Sequence, residues 1–335
     1  MIVVIGASGF LGAHLLCFLV QSNDKVRAIY RNEQSILATQ KYLKYYNLPS
    51  NYFDEKIEWI RADILDIESL QHALDSATFV YNCSGFVSFD KRHKDQMIAV
   101  NVLGTSNIVN VCLQKNVQKL IHVSSIAALG ETQSDEPITE ETQWLRTESE
   151  SWYSITKFNG ETEVWRGIAE GLSTVIVNPS IIIGPGNWNQ GSPQLFKLVN
   201  DGLKYYTKGS VGYVDVRDVC RMMIALMESS IEGERFVVSG SNQTFQTLFT
   251  EIAKSINKPE PTTNATSIIL ALAWRLDLFR SMFLGKAPRL TKNSVKTALK
   301  TSNYSSEKLI KSISVPFTPF YETIAFTGKC FLNDF

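Results

Sequence analysis

Apolar residues along this chain keep two rhythms, and the alternation between them sets out its elements. Short runs rich in Val and Ile, the pattern of strands covered on both faces, fall at 2–5, 25–30, within 56–64, and at 78–83, 119–123 and 235–239. Between them apolar positions recur every three or four residues, which predicts helices over 10–20, 90–115, from Trp152 past Lys157, and over 194–202, 217–229 and 246–256. Strand alternating with helix in this way predicts an α/β fold, a doubly wound parallel sheet with helices on both faces. The turn-rich stretch Gly184-Pro-Gly-Asn-Trp-Asn-Gln-Gly191 marks the chain leaving that sheet. Residues 1–183, with 211–239 returning, are expected to form the sheet domain, and 184–210 with 240–335 a smaller, mostly helical lobe that receives a substrate. Asp215 is expected to serve packing and hydrogen bonding there. Helical spacing predicts helices at 267–284 and 291–300, the first carrying Trp274, Leu278, Phe279, Met282 and Phe283 on one apolar stripe, read as core, as cover for an apolar substrate, or as an interfacial helix that meets lipid.

The first turn carries chemistry. Val3-Val4-Ile5 runs into Gly6, Gly9 and Gly12, a strand-to-helix turn in which backbone N–H groups can approach a pyrophosphate at the positive end of a helix. At the end of the second strand, where an acid would bind a ribose 2′-hydroxyl, stands Arg31, which favours NADP; Glu33 nearby leaves NAD open. Asp63 is placed to cap the next helix or to meet an adenine. Ser84-Gly85 and Ser124-Ser125 end two further strands at the carboxyl edge, where ligands of such sheets bind. Asn101, in the middle of the 90–115 helix, needs a partner: its own turn, a water, or a backbone group beneath the site.

Charge narrows the function. Lys plus Arg and Asp plus Glu are 33 each in 335 residues, so no net field recommends nucleic acid or an anionic membrane as partner. Five scattered cysteines without a CxxC pair suit reduced thiols, and four histidines lack metal-ligand spacing, so no metal is expected. The strand begins directly after Met1 and no stretch reaches the ~20 apolar residues of a membrane span. The expectation is a cytoplasmic protein acting on a small molecule.

Tyr153 and Lys157 lie four residues apart, hence on one helix face. An ammonium beside a phenol favours the phenolate, which would let Tyr153 exchange a proton with a carbonyl or alcohol oxygen while Ser125 holds that oxygen.

Gly6-Ala-Ser-Gly-Phe-Leu-Gly12, Asp63, Asn101, Ser124-Ser125, Tyr153-Ser-Ile-Thr-Lys157, Pro179-Ser-Ile-Ile-Ile-Gly-Pro-Gly186 and Val214-Asp-Val-Arg-Asp-Val219, in this order, resemble the extended short-chain dehydrogenase/reductases of the NAD-dependent epimerase/dehydratase superfamily. The pattern is most similar to their dihydroflavonol-4-reductase and 3β-hydroxysteroid dehydrogenase branch. The resemblance implies a Rossmann fold and a catalytic set of Ser125, Tyr153, Lys157 and Asn101. It selects Ser125 over Ser124 by its distance from Gly130. It also implies a cofactor set of Gly6, Ser8, Gly9, Phe10, Leu11, Gly12, Arg31, Asp63, Ile64, Cys83, Ser84, Gly85, Lys157, Pro179 and Ile182. Within it, Lys157 binds the ribose and Pro179 to Ile182 border the nicotinamide. A homodimer is compatible with it, as is a closing segment at 304–316 followed by a last helix from about Pro319. Carbonyl reduction, or the reverse alcohol oxidation, on an apolar substrate is the leading expectation. A flavonoid substrate is disfavoured, because Gly130 stands where flavonoid reductases commonly have asparagine. The alternatives are a nucleotide-sugar epimerase or dehydratase, weakened by the lack of arginine in Lys208-Gly-Ser-Val-Gly-Tyr213, and an NADP-sensing protein without turnover.

Overall fold

Seven parallel strands form the centre of the computed structural model, which describes residues 1–23, 25–132, 136–144, 150–267, 269–270, 274, 295 and 298–335. They are β1 (Ile2–Ile5), β2 (Val26–Tyr30), β3 (Ile57–Arg61), β4 (Phe79–Asn82), β5 (Lys119–Val123) and β6 (Thr174–Pro179), joined at the far edge by Glu234–Val238. The last of these is β10, after β7 (Ile181–Ile183), β8 (Tyr205–Tyr206) and β9 (Ser210–Asp215). The order across the sheet is β3-β2-β1-β4-β5-β6-β10. Strand order reverses between β1 and β4, so a crevice opens above their carboxyl ends.

Alternation along each strand feeds two cores. Val4 belongs to the layer with Leu15, Leu16, Cys220 and Met223, under the helices Phe10–Ser22 and Val216–Glu228, while Val3 and Ile5 belong to the layer with Leu70, Ile108 and Val164. At the end of β1, Gly6 has φ +74°, a left-handed conformation that side chains resist, and a Cβ there would stand 2.7 Å from the Ser84 nitrogen. The turn into the first helix and the turn out of β4 are thus packed backbone to backbone.

Most expected elements are present, with three differences. The expected return at 211–216 is β9, which joins not the large sheet but a small one, pairing with β7 in parallel and with β11 (Ser241–Thr244) antiparallel; only β10 rejoins the large sheet. Residues 33–55, without clear periodicity, fold into three short helices, Glu33–Gln40, Tyr42–Tyr45 and Tyr52–Glu55. They enclose His14, whose ring packs edge-on to Tyr42 and Tyr46, and burial holds its pKa down at about 4. The single helix expected over 90–115 is a run of four segments: Lys91–His93 is a 3-10 turn, Lys94–Ile98 is α-helical, Ala99–Leu103 a π segment, and Gly104–Gln114 α-helical again.

Beyond the large sheet stand β12 (Thr263–Asn264), paired with β8, and the helices Gln194–Asn200, Phe245–Ser255 and Phe320–Asp334, while the helix Glu307–Ser312 packs its Leu309 into the core of the large sheet. Asp215 caps the helix that follows β9 and pairs with Arg217. The stripe over 267–284 lies, except for Ser267, Ile269, Leu270 and Trp274, outside the described residues, as does most of 291–300. Among the described residues one run, Lys91–Gln114, is long and apolar enough to cross a membrane, and half of its apolar window is buried within the fold. All five cysteines are free thiols.

Candidate active site

The helix Trp152–Ala169 brings the central pair into place. Ser151 caps it, accepting from the Ser154 N–H at 3.0 Å, and the Ser154 hydroxyl donates to the Ala127 carbonyl. The helix start is thereby tied to the short turn Ile126–Ala128, itself capped by Ser125, and the Ser125 hydroxyl favours the ionised form of the Tyr153 phenol. Ser124 and Ser125 part company as neighbours at a strand end do: the Ser124 hydroxyl donates to Glu161 at 2.6 Å, away from Tyr153. Lys157, one turn after Tyr153, is buried and donates from Nζ to the Val123 carbonyl at 2.9 Å.

Asn101 explains the π segment. Its Oδ1 accepts from the Phe86 N–H at 2.8 Å, and its Nδ2 donates to the Phe86 carbonyl at 3.0 Å and to the Thr156 hydroxyl at 3.1 Å. Of the partners open to it from sequence, the backbone group is the one it takes. The asparagine therefore clamps the segment leaving β4 to the helix bearing Tyr153 and Lys157. That approach depends on Gly160, where a Cβ would collide with the Asn101 carbonyl oxygen.

The clamped segment, Gly85 to Asp90, alternates outward and inward. Gly85, Val87 and Phe89 are exposed, while Phe86 and Ser88 turn in, Ser88 to His93 at 2.9 Å. Phe89 stands edge-on to Tyr153 with ring centroids 6.2 Å apart. Gly130 leaves no room for a side chain such as asparagine: a Cβ there would collide with the Gln143 carbonyl oxygen.

Burial dominates the electrostatics. It raises the pKa of Tyr153, opposed by the Ser125 hydroxyl; this corrects the expected downward shift from Lys157, whose Nζ is turned to Val123. Burial likewise lowers the pKa of Lys157 to about 8, against the raising influence of Glu161 and Cys83, and pushes the Cys83 thiol up to about 12.

The residues expected to hold a dinucleotide divide by their place along the crevice. Gly9 is exposed and caps the Phe10–Ser22 helix without a side chain, no acid occupies that helix's first turn, and the only close neighbour of a Cβ at Gly9 would be the Gly6 carbonyl. An open helix start of this kind fits a diphosphate. Ser8 lies in the turn, and Gly12, buried in the first turn of the helix, lets the helix lie against the Gly6 carbonyl, where a Cβ would collide. Gly85 lies beside Asn101 and Lys157, and a Cβ there would be 3.9 Å from Nζ, so the turn after β4 borders the catalytic pair. Ser84 is turned to Asn82, and Pro179 and Ile182 close β6 and lie in β7. Arg31 is exposed directly after β2, and Asp63 follows β3, so both stand at the opposite end of the crevice from Tyr153. Asp63 is not the helix cap: Asp66 accepts from Glu68 and Ser69, while Asp63 accepts from Leu65. Leu11 is buried, Phe10 packs toward Gly184 and Gly186, and Ile64 is buried under Gly104, so these three side chains belong to the packing around the crevice.

A glycine turn, a switch-point crevice and a Ser-Tyr-Lys cluster on one edge match a known family model, the NAD dependent epimerase/dehydratase family, over residues 2–239. The chain belongs to this family. Its members are NAD(P)-dependent enzymes, and the chain is similar to both reductases and epimerases among them. It is 26% identical over 262 residues to sterol demethylase protein B of Methylococcus capsulatus, covering 77% of this chain and 75% of that one. It is 23% identical over 339 residues to a putative dihydroflavonol 4-reductase of Synechocystis sp., covering 98% and 94%. In fold it is similar to the UDP-glucose 4-epimerase of Thermus thermophilus solved with NAD (TM-score 0.74, 20% identity, 100% and 99% covered).

Residues of this family site that the spacing did not single out are Glu161, Gly160, Thr156, Asn178 and Phe89. A glycine in mid-helix three residues after a lysine of interest was the one available signal for Gly160.

Proposed function

We propose that the protein is an NADP-linked carbonyl reductase whose substrate carries its carbonyl on an apolar, ring-bearing body. The observation that carries this reading is the juncture of Ser125, at the carboxyl edge of β5, with the helix bearing Tyr153: the Ser154 hydroxyl at that helix start donates to the Ala127 carbonyl of the turn that Ser125 caps, and Lys157 follows one turn behind Tyr153. The reduced nicotinamide, when bound, supplies a hydride. Tyr153 gives its hydroxyl proton to the carbonyl oxygen, and Ser125 donates a hydrogen bond to the same atom. A raised phenol pKa keeps Tyr153 protonated near pH 7, the form a proton donor needs. The Lys157 ammonium meets the ribose hydroxyls, and Asn101 holds Phe86.

Val87 and Phe89 support the apolar body: they are 62% and 47% exposed, beside the acid, on a strip whose backbone Asn101 fixes. NADPH oxidation is to be followed with cinnamaldehyde, a steroid ketone, propanal and UDP-glucose. Turnover of the ring-bearing carbonyls supports the reading. Epimerisation of UDP-glucose, or NADPH binding with no oxidation by any of them, replaces it with the nucleotide-sugar or sensor alternative. Phe89→Ala is expected to lower kcat/KM for cinnamaldehyde about tenfold, as lost aromatic contact and burial imply, and to leave propanal within about twofold.

Arg31 supports NADP over NAD, being exposed and without a carboxylate partner among the described residues. Arg31→Asp is expected to cut the preference for NADPH over NADH by about 10- to 100-fold, the worth of a charge-assisted hydrogen bond. An unchanged ratio of the two dissociation constants would mean that Arg31 does not meet the 2′-phosphate.

A further inference from the structure

Glu161 lies one helical turn beyond Lys157 and two beyond Tyr153, and it is 2% exposed. A carboxylate buried this deeply is costly unless its oxygens are filled and its charge is met. Both conditions hold. One oxygen, Oε2, accepts from the Ser124 hydroxyl at 2.6 Å and from Asn178 Nδ2 at 2.8 Å. The other, Oε1, accepts from Arg235 Nη1 at 3.0 Å and Trp165 Nε1 at 3.3 Å. The donors come from the ends of β5 and β6, from β10 and from the same helix.

This arrangement reaches Ser125 from two sides. Ser124 is its neighbour in the chain, and Asn178 Nδ2 also donates to the Ser125 carbonyl at 3.0 Å. Arg235 extends the connection, donating from Nε and Nη2 to the Glu140 carbonyl, while the Glu140 carboxylate accepts from the Val237 N–H at 2.7 Å. The loop between β5 and the Tyr153 helix is thus anchored through the same hub.

The groups facing Lys157 come from three elements. Cys83 follows β4, His122 lies on β5, and Tyr153 and Glu161 share its helix. Burial keeps the thiol and the phenol protonated and the imidazole unprotonated near neutral pH, so these three are uncharged. Glu161 is ion-paired to Arg235, Nη1 to Oε1 at 3.0 Å.

We propose that Glu161 is the positioning residue of this site: its carboxylate fixes the strand ends that set Ser125 against Tyr153, and it sets a buried carboxylate one helical turn from Lys157. The catalytic part of this proposal rests on the reading of Ser125, Tyr153 and Lys157 given above; the electrostatic part does not.

The test is a pH titration of the Lys157 side chain, followed by carbon-13 at Cε in the full-length protein without substrate and assigned with Lys157→Arg. In Glu161→Gln the midpoint is expected to fall by one pH unit or more below that of the parent. In Arg235→Gln, which leaves the carboxylate unmatched by its cation, the midpoint is expected to rise. Opposite displacements are a signature that a purely structural role does not produce. A midpoint unmoved in folded Glu161→Gln, or displaced the same way in both variants, overturns the proposal. Should Glu161→Gln fail to fold by circular dichroism, the direction in Arg235→Gln decides. With a carbonyl that the parent reduces, the alkaline limb of kcat/KM should move with the titration, and Ser124→Ala should lower kcat about tenfold without moving the midpoint. Absence of any carbonyl turnover in the parent counts against the reductase reading alone, since the titration is read without it.

Discussion

Tyr153→Phe is expected to lower kcat for carbonyl reduction by about 10³-fold or more while changing the NADPH dissociation constant less than about threefold, because general acid catalysis contributes on this scale. The ring, its edge contact with Phe89 and the capped helix start all survive the change; what disappears is the hydroxyl. Single-turnover measurement with saturating NADPH separates chemistry from binding. Retention of a tenth or more of the parent rate would take the proton from some other group and remove the assignment.

Lys157→Met is expected to do two things at once: lower turnover by about 100-fold or more, and make the protein more stable at pH 7. Burial places the Lys157 pKa at about 8, below the ordinary lysine value of 10.5. The unfolded chain therefore holds the proton more tightly. The cost of burying the ammonium, roughly 3 kcal/mol, is present in full below about pH 8 and fades as the pH rises toward 10.5. The stability advantage of the methionine variant should be largest near neutrality, reduced somewhat by the Val123 carbonyl it leaves unbonded, and should shrink across that window. Denaturant midpoints at pH 7, 9 and 10.5 measure it; an advantage that does not depend on pH would show that charge burial is not its source.

The glycine turn, the parallel strands and the Tyr153–Lys157 face are legible in the chain because each is a local matter of spacing. Val3-Val4-Ile5 followed by Gly6 states a strand and its turn within a few residues, and an interval of four states a shared helix face. What stays hidden depends on distant partners. A lysine nearby in sequence argues for a lowered Tyr153 pKa, yet burial, which no spacing reports, drives it up. Glu161 reads in sequence as an ordinary polar residue of an amphipathic helix, and only the convergence of Ser124, Asn178 and Arg235 gives it meaning. Asp63 and Asp66 are equally good caps by residue type, and backbone geometry chooses the second. Strand β9 carries the right pattern, but pattern does not say which sheet a strand joins.

The turn at Ala99–Leu103 uses one residue more than an α-helix would, so its presence is a matter of chain length as much as side-chain chemistry. Deleting a single residue there would restore regular winding and rotate everything on its N-terminal side by about 100° relative to Gly104–Gln114. The grip on Phe86 would be lost, and with it the direction in which Val87 and Phe89 face, while the acid and its lysine, carried by a different helix, would keep their places. Gain or loss of one codon in this stretch is therefore a route by which descendants of this gene could exchange one substrate wall for another without rebuilding their catalytic machinery.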